Sequence, residues 1–219
     1  MMKPDTFFTS EDLNAIKSAT GEAEGRTSGE IVPVVVGACD DYDEAAWKAG
    51  AFGALSAAFL AGIIHAIGGF WMGLGWLWIT GPTAAGAAIG VLLVWLSPAL
   101  RRKLITPETL QLRVYRRARQ AFLDEEVFAT RDRTGILLFL ALFEHQVVVI
   151  GDEAINRAVE QQAWQDIVDR LIKGIRTRQP GPALVEAIGE CGRLLEKHGV
   201  EIRPDDIDEL ADGLRMEDR

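Results

Sequence analysis

The sequence predicts an α/β protein, an α/β/α sandwich with a short mixed sheet that is interrupted by a two-helix transmembrane hairpin. Apolar β-branched runs of strand length predict the sheet, and apolar residues at three- and four-residue spacing predict helices around it. Between Lys48 and Arg101 there is no Asp, Glu, Lys or Arg, which is typical of membrane spans. The chain therefore divides into residues 1–48 and 101–199, the two parts of the α/β domain, residues 49–100, the hairpin, and residues 200–219, an acidic tail.

The first part of the domain predicts one helix and one strand. Thr9 or Ser10 is suited to cap the helix, and Glu11 and Asp12 follow in the first turn, where the helix dipole favours carboxylates. Residues 31–36 are apolar and too few for a helix interior, so they predict a largely buried strand. Because Pro33 cannot donate a ladder hydrogen bond, we expect an edge strand or a bulge there.

The uncharged stretch predicts two spans, residues 49–70 and 82–100. Each has about 20 residues, enough to cross a hydrocarbon core at about 1.5 Å per residue. Small residues recur in both spans, among them Gly86 and Gly90 in a GxxxG pattern. They indicate either a dimerisation face, and hence a homo-oligomer, or close packing of the two spans on each other.

Charged and aromatic residues predict how the hairpin lies in the membrane. Arg101, Arg102 and Lys103 follow the second span, and Lys48 precedes the first. By the positive-inside rule both termini lie in the cytoplasm, with the protein in the inner (cytoplasmic) membrane. The cluster at 101–103 is also a candidate contact for phosphate or anionic lipid headgroups. Aromatic belts are expected from Trp71, Trp76 and Trp78 at one interface, and from Trp47 and Trp95 nearer the other.

The second part of the domain predicts a helix, a β-hairpin and two further helices. Thr106 and Pro107 suit a helix start, and this helix is expected to end near Thr130. Strands at 136–143 and 147–150 follow, the first parallel to strand 31–36 through a right-handed crossover and the second antiparallel. Helices are then expected from about residue 152 to 175 and from 183 to 197. Few apolar residues remain in the acidic tail, which predicts a partly ordered extension.

The two ends of the β-hairpin carry the candidate site. In an antiparallel pair the start of one strand lies beside the end of the other, so Asp132 is expected near Asp152 and Glu153. Such carboxylates could hold Ca²⁺ or Mg²⁺, which would polarise a phosphoryl oxygen. Arg131 and Arg133 are candidate phosphate contacts, or could instead pair with the carboxylates. Equally, these residues could be structural, with Asp132 in a turn and Asp152 capping a helix.

Other features of the sequence narrow the function. The net charge of −9 argues against nucleic acid as a partner, because neutralising phosphates needs a basic surface. The two cysteines, Cys39 and Cys191, lie far apart without metal-ligand spacing, which predicts reduced structural thiols. Glu144 and His145 at the far end of the β-hairpin are either a polar turn or an acid/base pair, and no serine or cysteine nucleophile accompanies them.

Three segments resemble the TPM-domain family, a small α/β domain. They are Glu30-Ile-Val-Pro-Val-Val-Val, Arg131-Asp-Arg-Thr-Gly-Ile-Leu-Leu-Phe and Val147-Val-Val-Ile-Gly-Asp-Glu-Ala-Ile. The resemblance covers about residues 9–48 and 104–199, and it is strongest with bacterial members in which a membrane hairpin is inserted. Better-described members carry Asp-Asn-Gly before the second strand and Gly-Tyr-Gly-Leu-Glu after the third, where this chain has Asp132-Arg-Thr-Gly135 and Gly151-Asp-Glu-Ala-Ile155.

The resemblance implies two functions. Some members act as accessory factors for membrane complexes, which implies an accessory or interaction protein with the lipid bilayer and an unknown membrane protein as partners. Others are described as acid phosphatases or divalent-cation binders. They imply, as the alternative, a cation-dependent, acid-phosphatase-like hydrolase that uses the acidic corner formed by Asp132, Asp152 and Glu153. No cofactor other than such a Ca²⁺ or Mg²⁺ ion is indicated.

Overall fold

The computed structural model describes residues 4–68, 76–198, 200, 210 and 213–218. The predictions for Trp71 and for most of the acidic tail lie outside these residues. The chain forms two compact units, an α/β unit (Met1–Cys39 and Gln111–Arg219) and a hairpin unit (Asp40–Leu110).

A four-stranded mixed sheet is the centre of the α/β unit. Its strands are β1 (Ile31–Val36), β2 (Ile136–Ala141), β3 (Gln146–Gly151) and β4 (Arg215–Glu217), arranged in the order β3-β2-β1-β4. β1 is parallel to β2 and to β4, and β2 is antiparallel to β3. The predicted parallel and antiparallel pairings are therefore confirmed. β4 was missed, because its three residues lie in the segment expected to be an acidic tail.

Helices cover both faces of the sheet. Those of the α/β unit are α1 (Ser10–Glu24), α5 (Pro107–Asp124, from Gln111 onward), α6 (Glu153–Ala158), α7 (Gln161–Arg176) and α8 (Pro180–Lys197). On one face α1, α7 and α8 pack on one set of strand residues, including Ile31 and Leu138. On the other face α5 packs on the alternate set, including Val32 and Phe139. Because neighbouring residues of β1 and β2 enter different cores, both strands are apolar throughout, and the predicted α/β/α sandwich is confirmed.

Some element boundaries differ from the predictions. Of the two expected caps, Thr9 or Ser10, it is Thr9 that caps α1, and it forms a capping box with Asp12. α5, however, ends at Asp124 rather than near Thr130, and a 3₁₀ turn at Val127–Ala129 follows. β2 ends at Ala141, two residues early, because the chain turns at 142–145. α8 begins at Pro180, which suits the first turn of a helix because the N–H that proline lacks has no partner there.

Pro33 lies in an inner strand, not in an edge strand or a bulge. Hydrogen bonds from Ile136 N–H to Glu30 O and from Gly37 N–H to Glu217 O show that alternate residues of β1 face β2 and β4. By this alternation Pro33 faces the β4 side, where pairing begins only at Val34. The missing N–H therefore costs no hydrogen bond of the sheet.

The hairpin unit contains α2 (Asp43–Gly68), α3 (Leu77–Leu96) and the short α4 (Pro98–Lys103). α2 and α3 are long and apolar enough to cross a membrane. At about 1.5 Å per residue they measure about 39 and 30 Å. The second span was predicted to begin at Pro82, but α3 begins earlier, at Leu77, and contains Pro82 in its interior. It also ends earlier, since Ser97 is extended and caps α4, with Pro98 in its first turn.

Glycines bring α2 and α3 into backbone contact. A Cβ atom on Gly53 would lie 2.9 Å from the carbonyl carbon of Gly86, and one on Gly90 would lie 2.8 Å from that of Ala49. Any larger residue would separate the helices, so the GxxxG pattern serves the contact within the hairpin. Of the two interpretations offered for the small residues, the structure supports close packing of the two helices; a homo-oligomer stays a prediction.

Candidate functional site

The turn before β2 is held by short-range hydrogen bonds. Arg133 N–H donates to Thr130 O (3.1 Å), and Thr134 N–H donates to the Thr130 hydroxyl oxygen (3.2 Å). These bonds reverse the chain and place Arg133 in the left-handed region, with φ of 58°, which is uncommon for a residue with a long side chain. The conformation fixes the direction in which the Arg133 side chain leaves the turn.

Gly135 lets the chain pass close to the preceding 3₁₀ turn. A Cβ atom there would overlap the carbonyl oxygen of Val127 and lie 2.8 Å from its Cγ1. The carbonyl of Gly135 accepts a hydrogen bond from Asp152 N–H at 2.8 Å, which ties the turn to the end of β3. The segment Thr-Arg-Asp-Arg-Thr-Gly thus has a structural explanation at Thr130, Arg133, Thr134 and Gly135.

Asp152 lies at the centre of the acidic corner, and its carboxylate is already engaged. It caps α6 by accepting from Glu153 N–H at 2.7 Å. Arg133 Nη2 donates to Asp152 Oδ1 at 3.1 Å, and Arg133 Nε lies 2.7 Å from Oδ2. The Asp152 side chain is only 6% exposed, whereas that of Arg133 is 50% exposed. A largely buried carboxylate is therefore neutralised by a guanidinium at the surface.

The other predicted site residues do not join Asp152 in a metal site. Glu153 is exposed and forms an ion pair with Arg157 one helical turn later. Asp132 and Arg131 are exposed residues of the turn. Among the described residues no group of three or more His, Cys, Asp or Glu side chains is arranged to hold a metal ion. The donor set therefore does not fit the Ca²⁺ or Mg²⁺ ion considered for this corner. Arg133 meets Asp152 in this corner.

The far end of the β-hairpin is also structural. Glu144 is buried, and its Oε1 accepts from Cys39 N–H at 2.8 Å. His145 follows with φ of 55°, in the left-handed turn that joins β2 to β3. Glu144 therefore connects the turn to the end of β1, which is the role of a polar turn rather than of an acid/base pair.

The basic residues of the hairpin unit gather at one end of its helices. Arg101, Arg102 and Lys103 form the last turn of α4, where cations complement the helix dipole. Lys48 Nζ donates to Leu104 O, just beyond α4, at 3.0 Å. Lys48, near the start of α2, and the cluster that follows α3 thus lie at the same end of the hairpin.

A groove beside β3 was not found from the sequence. It has a volume of about 410 Å³ and is lined by β3, by Gln111 and Tyr115 of α5, and by Gln161, Trp164 and Gln165 of α7. The spacing of the α7 residues, all on one helical face, was the available signal. Trp164 belongs to the apolar stripe of α7, which is typical of a core residue, and nothing in the sequence marks the glutamines beside it as part of a groove.

The fold and these sites define an α/β sandwich protein with an apolar helical hairpin inserted in the crossover between β1 and β2. No model of a known protein family matches the chain, and no curated protein sequence matches it. Among solved structures, the fold is similar to the NMR structure of BA42 protein from the psychrophilic bacteria Bizionia argentinensis sp. nov. The TM-score is 0.58, the match covers 98% of this chain and 99% of that chain, and the identity is 20%. At this identity the likeness concerns the fold alone.

Proposed function

We propose that this chain is a membrane-anchored member of the TPM-domain family, with its α/β unit in the cytoplasm, and that it acts as an accessory or interaction protein for a membrane complex. The observation that carries the proposal is the apolar helical hairpin between β1 and β2. Both ends of the hairpin continue into one α/β unit, so a membrane-inserted hairpin would hold that unit at the membrane surface.

Exposure of apolar side chains supports membrane insertion. Trp47 and Trp95 are each 80% exposed and Ile67 is 83% exposed. Exposed apolar surface of this extent on a pair of helices is unfavourable in water, and it marks a surface that contacts another apolar phase or a partner. Lipid fits best, because α2 and α3 have the length of a hydrocarbon core.

The position of the basic residues supports a cytoplasmic α/β unit. Lys48 and the cluster Arg101, Arg102 and Lys103 lie at the end of the hairpin from which the chain continues into the α/β unit in both directions. Positive residues beside spans favour the cytoplasmic side, and anionic headgroups of the inner membrane would contact them there.

The acidic corner favours an accessory role over hydrolysis. A cation-dependent hydrolase needs carboxylates that are available to a metal ion. Asp152 instead binds Arg133 and caps α6, and Glu153 pairs with Arg157. The phosphatase alternative would require these ion pairs to break before a metal ion could bind.

Two measurements test membrane anchoring and topology. The full chain is expected to remain in the membrane fraction after alkaline carbonate extraction. In a Cys39→Ser background, Trp76→Cys should react with a membrane-impermeant maleimide added outside, whereas the matched variant Glu108→Cys should react only after permeabilisation. Release of the chain by carbonate would refute membrane anchoring. External labelling at Glu108→Cys would refute the cytoplasmic position of the α/β unit.

A phosphatase assay separates the two functions. The detergent-solubilised full chain is expected to release no phenolate from p-nitrophenyl phosphate above background with Ca²⁺, Mg²⁺ or Mn²⁺. Cation-dependent turnover that is lost in Asp132→Ala or Asp152→Asn would refute the accessory role. An accessory role further predicts that a membrane protein co-purifies with the chain in a fixed ratio.

A further inference from the structure

β3 is an edge strand whose outer side is open over part of its length. Asp152 N–H donates to Gly135 O, so by strand alternation Gln146, Val148 and Ile150 face β2. Val147, Val149 and Gly151 consequently direct their main-chain N–H and C=O groups away from the sheet. Asn156 Nδ2 donates to the carbonyl of Gly151 at 2.5 Å. The open stretch is therefore Val147–Val149, for which no such bond is found in the described part of the chain.

The two edges of the sheet differ in how they are protected. β4, at the opposite edge, has only three residues, and its charged side chains pair with neighbours, Arg215 with Glu125 at 2.8 Å and Glu217 with Arg117. Short length and charge are common means of preventing further strand pairing. β3 is twice as long and reads Gln-Val-Val-Val-Ile-Gly, without charge or proline. It has the features of an edge that accepts another strand.

The groove beside β3 is lined by side chains that can bind a peptide backbone. Its walls carry the amides of Gln111, Gln161 and Gln165, which can both donate to and accept from a peptide group. Trp164, 6% exposed, also lines the groove, and its indole Nε1 has no hydrogen-bond partner among the described residues. Buried indole N–H groups usually have a partner, so this nitrogen is an unsatisfied donor beside the groove.

From these observations we infer that the β3 edge binds an extended, uncharged segment of a partner protein by strand addition, with its backbone paired to Val147 and Val149. Of the described residues that line the groove, none is Asp, Glu, Lys or Arg, and His145 is the one side chain of a type that titrates near neutral pH. A charged segment would therefore find no carboxylate, ammonium or guanidinium partner among them. A second copy of the chain is disfavoured, because its own β3 lies between the same walls from α5 and α7. The inference rests on the proposed function only in taking the partner from a membrane complex.

Selection from a library of displayed random heptapeptides tests the inference on the full chain in detergent micelles. Enriched peptides should be uncharged and rich in β-branched residues. N-methylation at alternate positions of a selected peptide should weaken binding about tenfold or more, because each methyl group removes a main-chain hydrogen bond. N-methylation at the intervening positions is the matched control and should change affinity about twofold or less. This comparison leaves the protein itself unchanged.

A protein variant locates the binding edge. Val149→Pro removes an N–H that points away from β2 and should abolish peptide binding, whereas Val149→Thr keeps the N–H and the β-branched shape and should retain it. Circular dichroism shows whether the proline variant folds; if it does not, the N-methylation pattern decides.

Three outcomes would overturn the inference: no enrichment, N-methylation effects without alternation, or a dimer of the chain that Val149→Pro dissociates. Binding in micelles does not depend on orientation in a membrane. If the anchoring tests fail and peptide binding is intact, only the proposed function is refuted. If peptide binding fails and the anchoring tests succeed, only this inference is refuted.

Discussion

The ion pair between Arg133 and Asp152 yields a quantitative prediction. Arg133→Asn removes the guanidinium but suits the left-handed backbone, where φ is 58°. Asp152→Asn removes the charge but keeps a good helix cap. Breaking a buried pair costs about 3–5 kcal/mol. Because the Arg133 side chain is 50% exposed, solvent screening reduces this value, and we expect about 1–2 kcal/mol for Arg133→Asn.

Thermal unfolding of the full chain in detergent, followed by circular dichroism, measures the effect. For a domain of this size the expected loss corresponds to a fall in Tm of about 2–8 °C. The double variant Arg133→Asn/Asp152→Asn should recover most of it, because no uncompensated carboxylate is left. The coupling free energy from the four proteins should therefore be about 1–2 kcal/mol.

Two results would refute this reasoning. A coupling free energy below about 0.3 kcal/mol would mean that the guanidinium does not neutralise Asp152 in solution. A rise in the Tm of the wild-type protein with Ca²⁺, lost in Asp152→Asn, would mean that a cation displaces Arg133. The second result would return the phosphatase alternative to consideration.

Three further predictions concern the α/β unit. Gly135→Ala should lower stability by about 1–3 kcal/mol in denaturant titrations, because its methyl group overlaps the carbonyl of Val127; unchanged stability would contradict the close contact. Hydrogen bonds from Arg193 and Arg170 lower the pKa of Glu190, so Glu190→Gln should cost about 0.2–1 kcal/mol at neutral pH. The difference from wild type should be complete above the ordinary glutamate pKa and should be lost as pH falls through the lowered pKa of the folded protein; a difference independent of pH would exclude the charge as its cause. Burial raises the pKa of Cys191 to about 12, so the thiol should react with Ellman's reagent only when the protein unfolds. The reaction time course should therefore contain a slow phase from Cys191, and this phase should be absent from Cys191→Ala.

The centre of the fold was predictable because its signals are local. Residues 31–36, 136–141 and 146–151 are apolar and β-branched, and the turn between the last two fixes an antiparallel pair. The parallel pairing of β1 with β2 followed from the handedness of crossovers. β4 could not be found in this way, because Arg215, Met216 and Glu217 carry no strand pattern and pair with residues about 180 positions earlier in the chain.

Strand pairing alone does not determine which side chains of the candidate site contact each other. Antiparallel geometry correctly brought the segment before β2 to the end of β3, where Asp152 lies. It did not determine which side chain would meet Asp152. That choice depends on the left-handed backbone of Arg133 and on the hydrogen bonds of Thr130, and a left-handed conformation is not expected for arginine. The sequence offered pairing of Arg131 or Arg133 with the carboxylates as one alternative, and the contact between Arg133 and Asp152 selects it.

The place of the hairpin in the chain also governs the order in which this protein folds. β1 leaves the ribosome about a hundred residues before its partner β2, and both apolar helices are synthesised in between. The central parallel pair of the sheet therefore cannot form until the hairpin has been made, and until then β1 is an unpaired apolar segment. A chain that stops after the hairpin would hold one strand without a sheet. Maturation of the α/β unit is thus the last event of synthesis, and it depends on completion of the hairpin.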